Sequence, residues 1–267
     1  SLIIFLATYI AKDIPYAAWK LGLVDDPFSY KIHSMQNNSQ KLYETTLDEN
    51  YEQNENPINE EPEPRHIKLI SLGDSYTIGQ SVCEDCRFPA QLRDSLQTYF
   101  SENDSISLEI IAQTGWTTSN LKSAITAAEP SSDFDLVTLL IGVNNQYQNK
   151  PFSLYQTEFI ELTNTAITLA NGDASKLIVV SIPDYAYTPF GQNYNPSYIS
   201  EQLLQYNDYA ETYCNENNLN YVYITDITQQ GLTNTELVAT DNLHPSELAY
   251  TKFVERILPL ALEVLEQ

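Results

Sequence analysis

The chain has 267 residues, with 13 Lys and Arg against 36 Asp and Glu, for a formal net charge of -23. That balance argues against a nucleic-acid binder, which needs clustered cations facing phosphate, and against charge-driven docking on anionic lipid. The length suits one domain with a full hydrophobic core plus an appendage.

The chain begins with Ser1 and its one methionine is Met35, which reads as a processed product or a fragment. Residues 2–11, LIIFLATYIA, are apolar but too short to span a bilayer alone. They read as the remnant of an anchor or signal segment, or as a docked helix. Residues 20–34, KLGLVDDPFSYKIHS, resemble the first cytoplasmic loop of polyprenyl-phosphate sugar transferases through Val24-Asp25-Asp26-Pro27 and His33, over a short stretch that implies no activity. Residues 1–35 are therefore taken as an apolar remnant or fusion scar, and membrane association is expected only through them. Residues 36–65 are rich in Asn, Gln and Glu and end in EEPEP, which favours extended backbone. Such a composition cannot offset ordering entropy by burial, so it reads as an acidic disordered linker. Linker and possible anchor favour export or a bacterial envelope location, with the cytoplasm as the alternative.

The catalytic domain is expected at 66–267. Short apolar runs at 67–72, 107–111, 136–142, 177–182 and 221–225 have the continuous Leu, Ile and Val content of strands covered on both faces. Between them lie helix-like segments at 88–100, 117–128, 153–170 and 198–217, with a last helix at 246–265 that Ser246 can cap. Five strands alternating with helices predict a three-layer α/β fold with a five-stranded parallel sheet. Ligands on such sheets gather at the carboxyl ends of the strands.

Those ends carry the chemistry. The first run stops at Gly73-Asp74-Ser75, the second at Gln113-Thr114-Gly115-Trp116, and the third at Gly142-Val143-Asn144-Asn145. Asp241-Asn242-Leu243-His244-Pro245 precedes the last helix. A serine hydroxyl needs an adjacent base to act as a nucleophile, and histidine titrates where that base must work. A carboxylate then holds the imidazole's tautomer. Asp241, three residues before His244, can share one short loop with it. The developing oxyanion needs preorganised donors. The N–H groups of Ser75 and Gly115 and the Asn144 amide can supply three.

Cys83-Glu84-Asp85-Cys86 has the spacing of half a zinc site or of a redox pair. Zinc would need two more ligands, and the remaining cysteine is Cys214, so no metal is expected. An exported protein would join Cys83 to Cys86, and a cytosolic one would leave them as thiols.

Gly73-Asp74-Ser75-Tyr76, Gly115, Gly142-x-Asn144 and Asp241-x-x-His244-Pro245 together resemble the SGNH hydrolases, or GDSL-type lipases and acylhydrolases, across residues 67–265. Tyr76 stands where the family often has Leu, as in a bacterial subgroup with a GDSYTIG-like block. Asn145 replaces the usual Asp, which puts a local hydrogen bond in question. The resemblance implies a flavodoxin-like fold and cofactor-free ester hydrolysis through an acyl-serine. Ser75, Asp241 and His244 would form the triad, and Ser75, Gly115 and Asn144 the oxyanion hole. Asp74, Trp116, Gln146, Tyr147, Tyr185, Tyr187 and Phe190 are candidate pocket residues, with Tyr194 beside them. The absence of a long apolar lid favours short acyl groups, such as acetyl on a carbohydrate. The competing readings are a lysophospholipase or thioesterase near a membrane and a noncatalytic carbohydrate-binding protein.

Overall fold

A computed structural model describes residues 63–266. The apolar remnant, the sugar-transferase-like stretch and the linker up to residue 62 lie outside the described residues. Strands β1 (His66–Gly73), β2 (Ser105–Ala112), β3 (Leu136–Leu140), β4 (Leu177–Val180) and β5 (Asn220–Val222) form one sheet in the order β2-β1-β3-β4-β5. Every pairing is parallel, and β1 is flanked on both sides, with Leu72 opposite Ile111 and Leu139. The chain runs outward from β1 to β2 and then returns across β1 to β3. That reversal is a topological switch point, which opens a crevice at the carboxyl ends of β1 and β3.

Eight α-helices connect and flank these strands among the described residues: α1 (Ser75–Ile78), α2 (Phe88–Gln97), α3 (Thr118–Ala128), α4 (Val143–Tyr147), α5 (Phe152–Leu169), α6 (Pro196–Glu216), α7 (Thr225–Thr228) and α8 (Glu247–Leu265). Right-handed crossovers in opposite directions put α2 on one face and α3, α5 and α6 on the other. Helix α8 packs against α2. All of β3 and β4 is buried, as a sheet covered on both faces requires. Strand β2 departs from the expected pattern. Ser105, Ser107 and Glu109 are exposed along it, because it is an edge strand with one neighbour. Asn195 caps α6 by accepting from the Tyr198 N–H at 3.2 Å, and Ser246 caps α8 by accepting from the Ala249 N–H. No helix among the described residues is long and apolar enough to cross a membrane.

Strands β3, β4 and β5 end earlier than their apolar runs, and three of the five strands give way directly to a short helix. Strand β1 yields to α1, β3 to α4 and β5 to α7. At the last of these, the Ser181 hydroxyl accepts from the N–H groups of Ile224 (2.8 Å) and Thr225 (3.1 Å), which turns the chain out of the sheet. These helices are too short to leave a periodic signature.

Candidate active site

Strand β1 delivers Ser75 through a turn with no room to spare. A Cβ on Gly73 would lie 2.1 Å from Thr77 Oγ1 and 2.4 Å from the Leu140 carbonyl oxygen. Asp74 then caps α1, its Oδ1 accepting from the Tyr76 N–H at 3.0 Å. Ser75 is the first helical residue and is nearly buried. Its carbonyl oxygen accepts from the N–H groups of Gly79 (3.1 Å) and Gln80 (3.0 Å).

Asp74 itself is fully buried, and its Oδ2 has no hydrogen-bond partner. Burial pushes its carboxyl up to about 7, against N–H groups of Tyr76, Asp74 and Gly142 that favour the charged form. A side chain so enclosed does not face substrate. The candidate pocket role for Asp74 is therefore corrected to a cap within the turn.

His244 and Asp241 share one tight loop. Val238 and Pro245 pair as an isolated antiparallel bridge, and the Ala239 N–H donates to the His244 carbonyl at 2.8 Å. Inside this loop Asp241 Oδ1 accepts from the N–H groups of Leu243 (3.0 Å) and His244 (2.9 Å). The His244 Nδ1 lies 2.6 Å from Asp241 Oδ2. An ionised carboxylate only accepts, so Nδ1 carries a proton on the side facing Asp241. Burial works to raise the Asp241 carboxyl. Hydrogen bonds from Ser81, from the His244 ring and from both N–H groups outweigh it and hold Asp241 at about 2. The imidazole is largely buried and stands edge-on to the Tyr76 ring, with centroids 5.9 Å apart. Ser75 Oγ makes no hydrogen bond to that ring here. Such contacts commonly tighten only when substrate binds.

The other two rim loops are bonded to each other. Gly115 has φ +86°, and nothing lies within 4 Å of where its Cβ would be. The backbone is open to close approach there, in a conformation that suits glycine. Asn144 Nδ2 donates to the Trp116 carbonyl at 3.0 Å. One amide hydrogen thus fixes the side chain, and the second remains available. Gln148 Nε2 donates to the Gly115 carbonyl at 3.0 Å, tying the same two loops again.

Asn145 resolves its own question. Its Oδ1 accepts from the Thr118 N–H at 2.9 Å, and its Nδ2 donates to Thr118 Oγ1 at 2.7 Å. Thr118 Oγ1 in turn donates to Glu158 on α5. The carboxylate of this network is that of Glu158, and the amide at 145 supplies the donor that a carboxylate could not. The composition of the Asn144 loop alone held no signal for this network.

The remaining candidates divide by burial. Gln146 and Tyr185 are buried, with the Tyr185 hydroxyl donating to Gln146 Oε1 at 2.8 Å. Trp116 is half-buried against the core. Tyr147 and Tyr194 are 46% and 52% exposed. With Phe190 they form a shelf of rings whose centroids lie 5.2 to 6.4 Å apart. Tyr187 is also exposed. The Phe190 N–H donates to the Asn242 carbonyl at 3.0 Å, which joins the shelf to the Asp241–His244 loop. Beside His244 a small recess is lined by Tyr76, Tyr185, Thr188, Leu237 and Leu243. Cys83 and Cys86 are joined as a disulfide, with Cα atoms 4.9 Å apart, and Cys214 is a buried thiol. Ser81, which donates to Asp241 Oδ2 at 2.6 Å, was not among the candidates. Its partner lies 160 residues away, and no motif connects the two.

The fold is shared with solved hydrolases. A lipolytic protein of the G-D-S-L family from Veillonella parvula is 17% identical, covers 75% of this chain and 99% of its own, and superposes with a TM-score of 0.54. A variant of Axe2, an acetyl xylan esterase from Geobacillus stearothermophilus, is 19% identical, with 74% and 95% covered and a TM-score of 0.51. The psychrotrophic esterase EstA from Pseudoalteromonas sp. is 16% identical, with 75% and 99% covered and a TM-score of 0.52. No curated protein sequence matches the chain. The pattern of the GDSL-like Lipase/Acylhydrolase family matches residues 71–252, from within β1 to α8 and so across all the loops just described. The chain belongs to that family, and it is a carboxylic ester hydrolase.

Proposed function

We propose that the protein removes short acyl groups, acetyl foremost, from a carbohydrate through an acyl-serine intermediate. His244 Nε2 takes the Ser75 proton as Oγ bonds to the acyl carbon, and the carbonyl electrons move onto oxygen. The N–H groups of Ser75 and Gly115 and the free Asn144 amide hydrogen stabilise that oxyanion. Collapse expels the alkoxide, which takes the proton back from His244. Water then attacks the acyl-serine and gives a proton to His244; as the C–Oγ bond breaks, His244 returns that proton to Ser75 Oγ and the acid is released. The observation that carries this reading is the 2.6 Å bond between His244 Nδ1 and Asp241, which turns the opposite ring nitrogen, Nε2, to the role of base.

Two features support the substrate class. The recess beside His244 is small and lined mainly by Tyr76, Tyr185, Leu237 and Leu243, which suits a short apolar acyl group. The exposed Tyr147 and Tyr194 rings, backed by the partly buried Phe190, offer flat, amphipathic faces to a sugar ring. The acetyl xylan esterase among the structural neighbours is consistent with that choice.

EstA is inhibited by monoethylphosphonate, and a phosphonate reagent is the direct test here. A fluorophosphonate should label the wild type at Ser75 and leave Ser75→Ala unlabelled. An unlabelled wild type sinks the mechanism. A panel of 4-nitrophenyl esters and acetylated xylo-oligosaccharides tests the substrate. Preference for long acyl chains or lysophospholipid would replace the acetyl-carbohydrate reading.

A further inference from the structure

We propose that Ser81 is a positioning residue of the hydrolytic site, tying the segment that carries the nucleophile to the loop that carries the acid and base. The inference rests on Ser75, His244 and Asp241 acting as proposed above. The carboxylate of Asp241 has four occupied acceptor positions. Three are filled from within its own loop, by the Leu243 N–H, the His244 N–H and the His244 ring. The fourth, at 2.6 Å on Oδ2, comes from Ser81 Oγ. It is the one bond to this carboxylate from outside the loop among the described residues. Ser81 follows Ser75 closely in sequence, on the far side of α1. One hydroxyl therefore couples the two halves of the site.

Holding the hydroxyl there strains the backbone. Ser81 sits at φ +71°, a left-handed conformation that favours glycine and costs a non-glycine residue free energy. The surrounding loop maintains it. The Val82 N–H donates to the Gly79 carbonyl at 3.2 Å, and the Cys86 N–H donates to the Cys83 carbonyl at 3.1 Å inside the ring closed by the Cys83–Cys86 bond. Strain of this kind persists only where its surroundings over-determine it, and it clusters at functional sites. Asp241 is only partly buried, so water can replace the electrostatics of the missing bond. Water cannot replace the tether.

The test separates stability from turnover. Ser81→Gly relieves the strain and deletes the hydroxyl, so its Tm should equal or exceed the wild type's. Its kcat on 4-nitrophenyl acetate should fall about tenfold, the loss typical of an outer partner that orients a catalytic ligand, with KM within about twofold. Cys83→Ser combined with Cys86→Ser should lose part of the same kcat, and nothing more when Ser81→Gly is already present. In an Asp241→Asn background Ser81→Gly should cost almost nothing, because the two residues act as one unit. Unchanged kcat in Ser81→Gly, or the same tenfold loss in the Asp241→Asn background, overturns the proposal. Fluorophosphonate labelling of the wild type keeps the outcomes apart. A labelled wild type with unaltered Ser81→Gly kinetics removes Ser81 alone, whereas an unlabelled one removes the hydrolytic reading.

Discussion

Two aspartates a few residues from the chemistry are held in opposite states by their surroundings. Asp241 accepts four hydrogen bonds and is held at about 2, so it stays ionised wherever the enzyme can work. Asp74 is fully buried with one oxygen unpartnered and is pushed up to about 7. The consequence for stability has a definite sign. An acid whose folded pKa exceeds its unfolded value near 4 binds more protons in the native state between those limits. Stability from this group therefore falls as pH rises from about 4 to 7, by roughly 3 to 4 kcal/mol in all. Asp74→Asn should remove that slope while keeping an oxygen for the Tyr76 N–H. Urea unfolding at intervals from pH 5 to 8 reads the difference between the two proteins. Parallel curves would show that Asp74 is ionised in the folded state throughout.

Among the elements, the loop after β3 is the most constrained. Asn145 reaches Thr118 at the start of α3, and Thr118 reaches Glu158 on α5, so one buried chain of hydrogen bonds sets the height of Asn144 on the rim. Ser119 Oγ also donates to Glu158, and Lys122 Nζ lies 3.6 Å from it. Restoring the acid that the family usually carries should be harmful in this setting. Asn145→Asp places a second carboxylate on Thr118 Oγ1, whose one proton is already given to Glu158. We expect a loss of about 2 kcal/mol, the usual cost of a buried polar group left unsatisfied. Glu158→Gln should recover most of it in the double variant. A double-mutant cycle by urea unfolding measures the coupling. Additive losses would mean that the two side chains do not share a proton.

Across the whole molecule the excess of acid is the dominant long-range feature. A chain with net charge -23 repels anionic substrates before any contact forms. Raising ionic strength from about 0.01 M to about 0.15 M shortens the screening length from about 30 Å to about 8 Å. KM for an acetylated uronic-acid oligomer should fall severalfold over that range, while KM for neutral 4-nitrophenyl acetate stays constant. Equal salt responses would show that the field at the site is not that of the whole chain.

The sequence by itself determined the sheet and the family, and it offered the candidate residues at the strand ends. Continuous Leu, Ile and Val runs mark strands buried on both faces, and β3 and β4 answer to that description. Gly73-Asp74-Ser75, Gly142-x-Asn144 and Asp241-x-x-His244 are legible because each is a local cluster whose residues reach one another within a turn. The tertiary structure decided what depends on distant partners. The Ser81–Asp241 bond joins residues 160 apart. The Asn145–Thr118–Glu158 chain crosses three elements. Whether Asp74 meets substrate or only caps α1 depends on what packs over it. The short helices after β1, β3 and β5 escape periodicity because a single turn has no second turn to repeat it. Local spacing encodes which groups can act together, and packing alone fixes which distant group holds them in place.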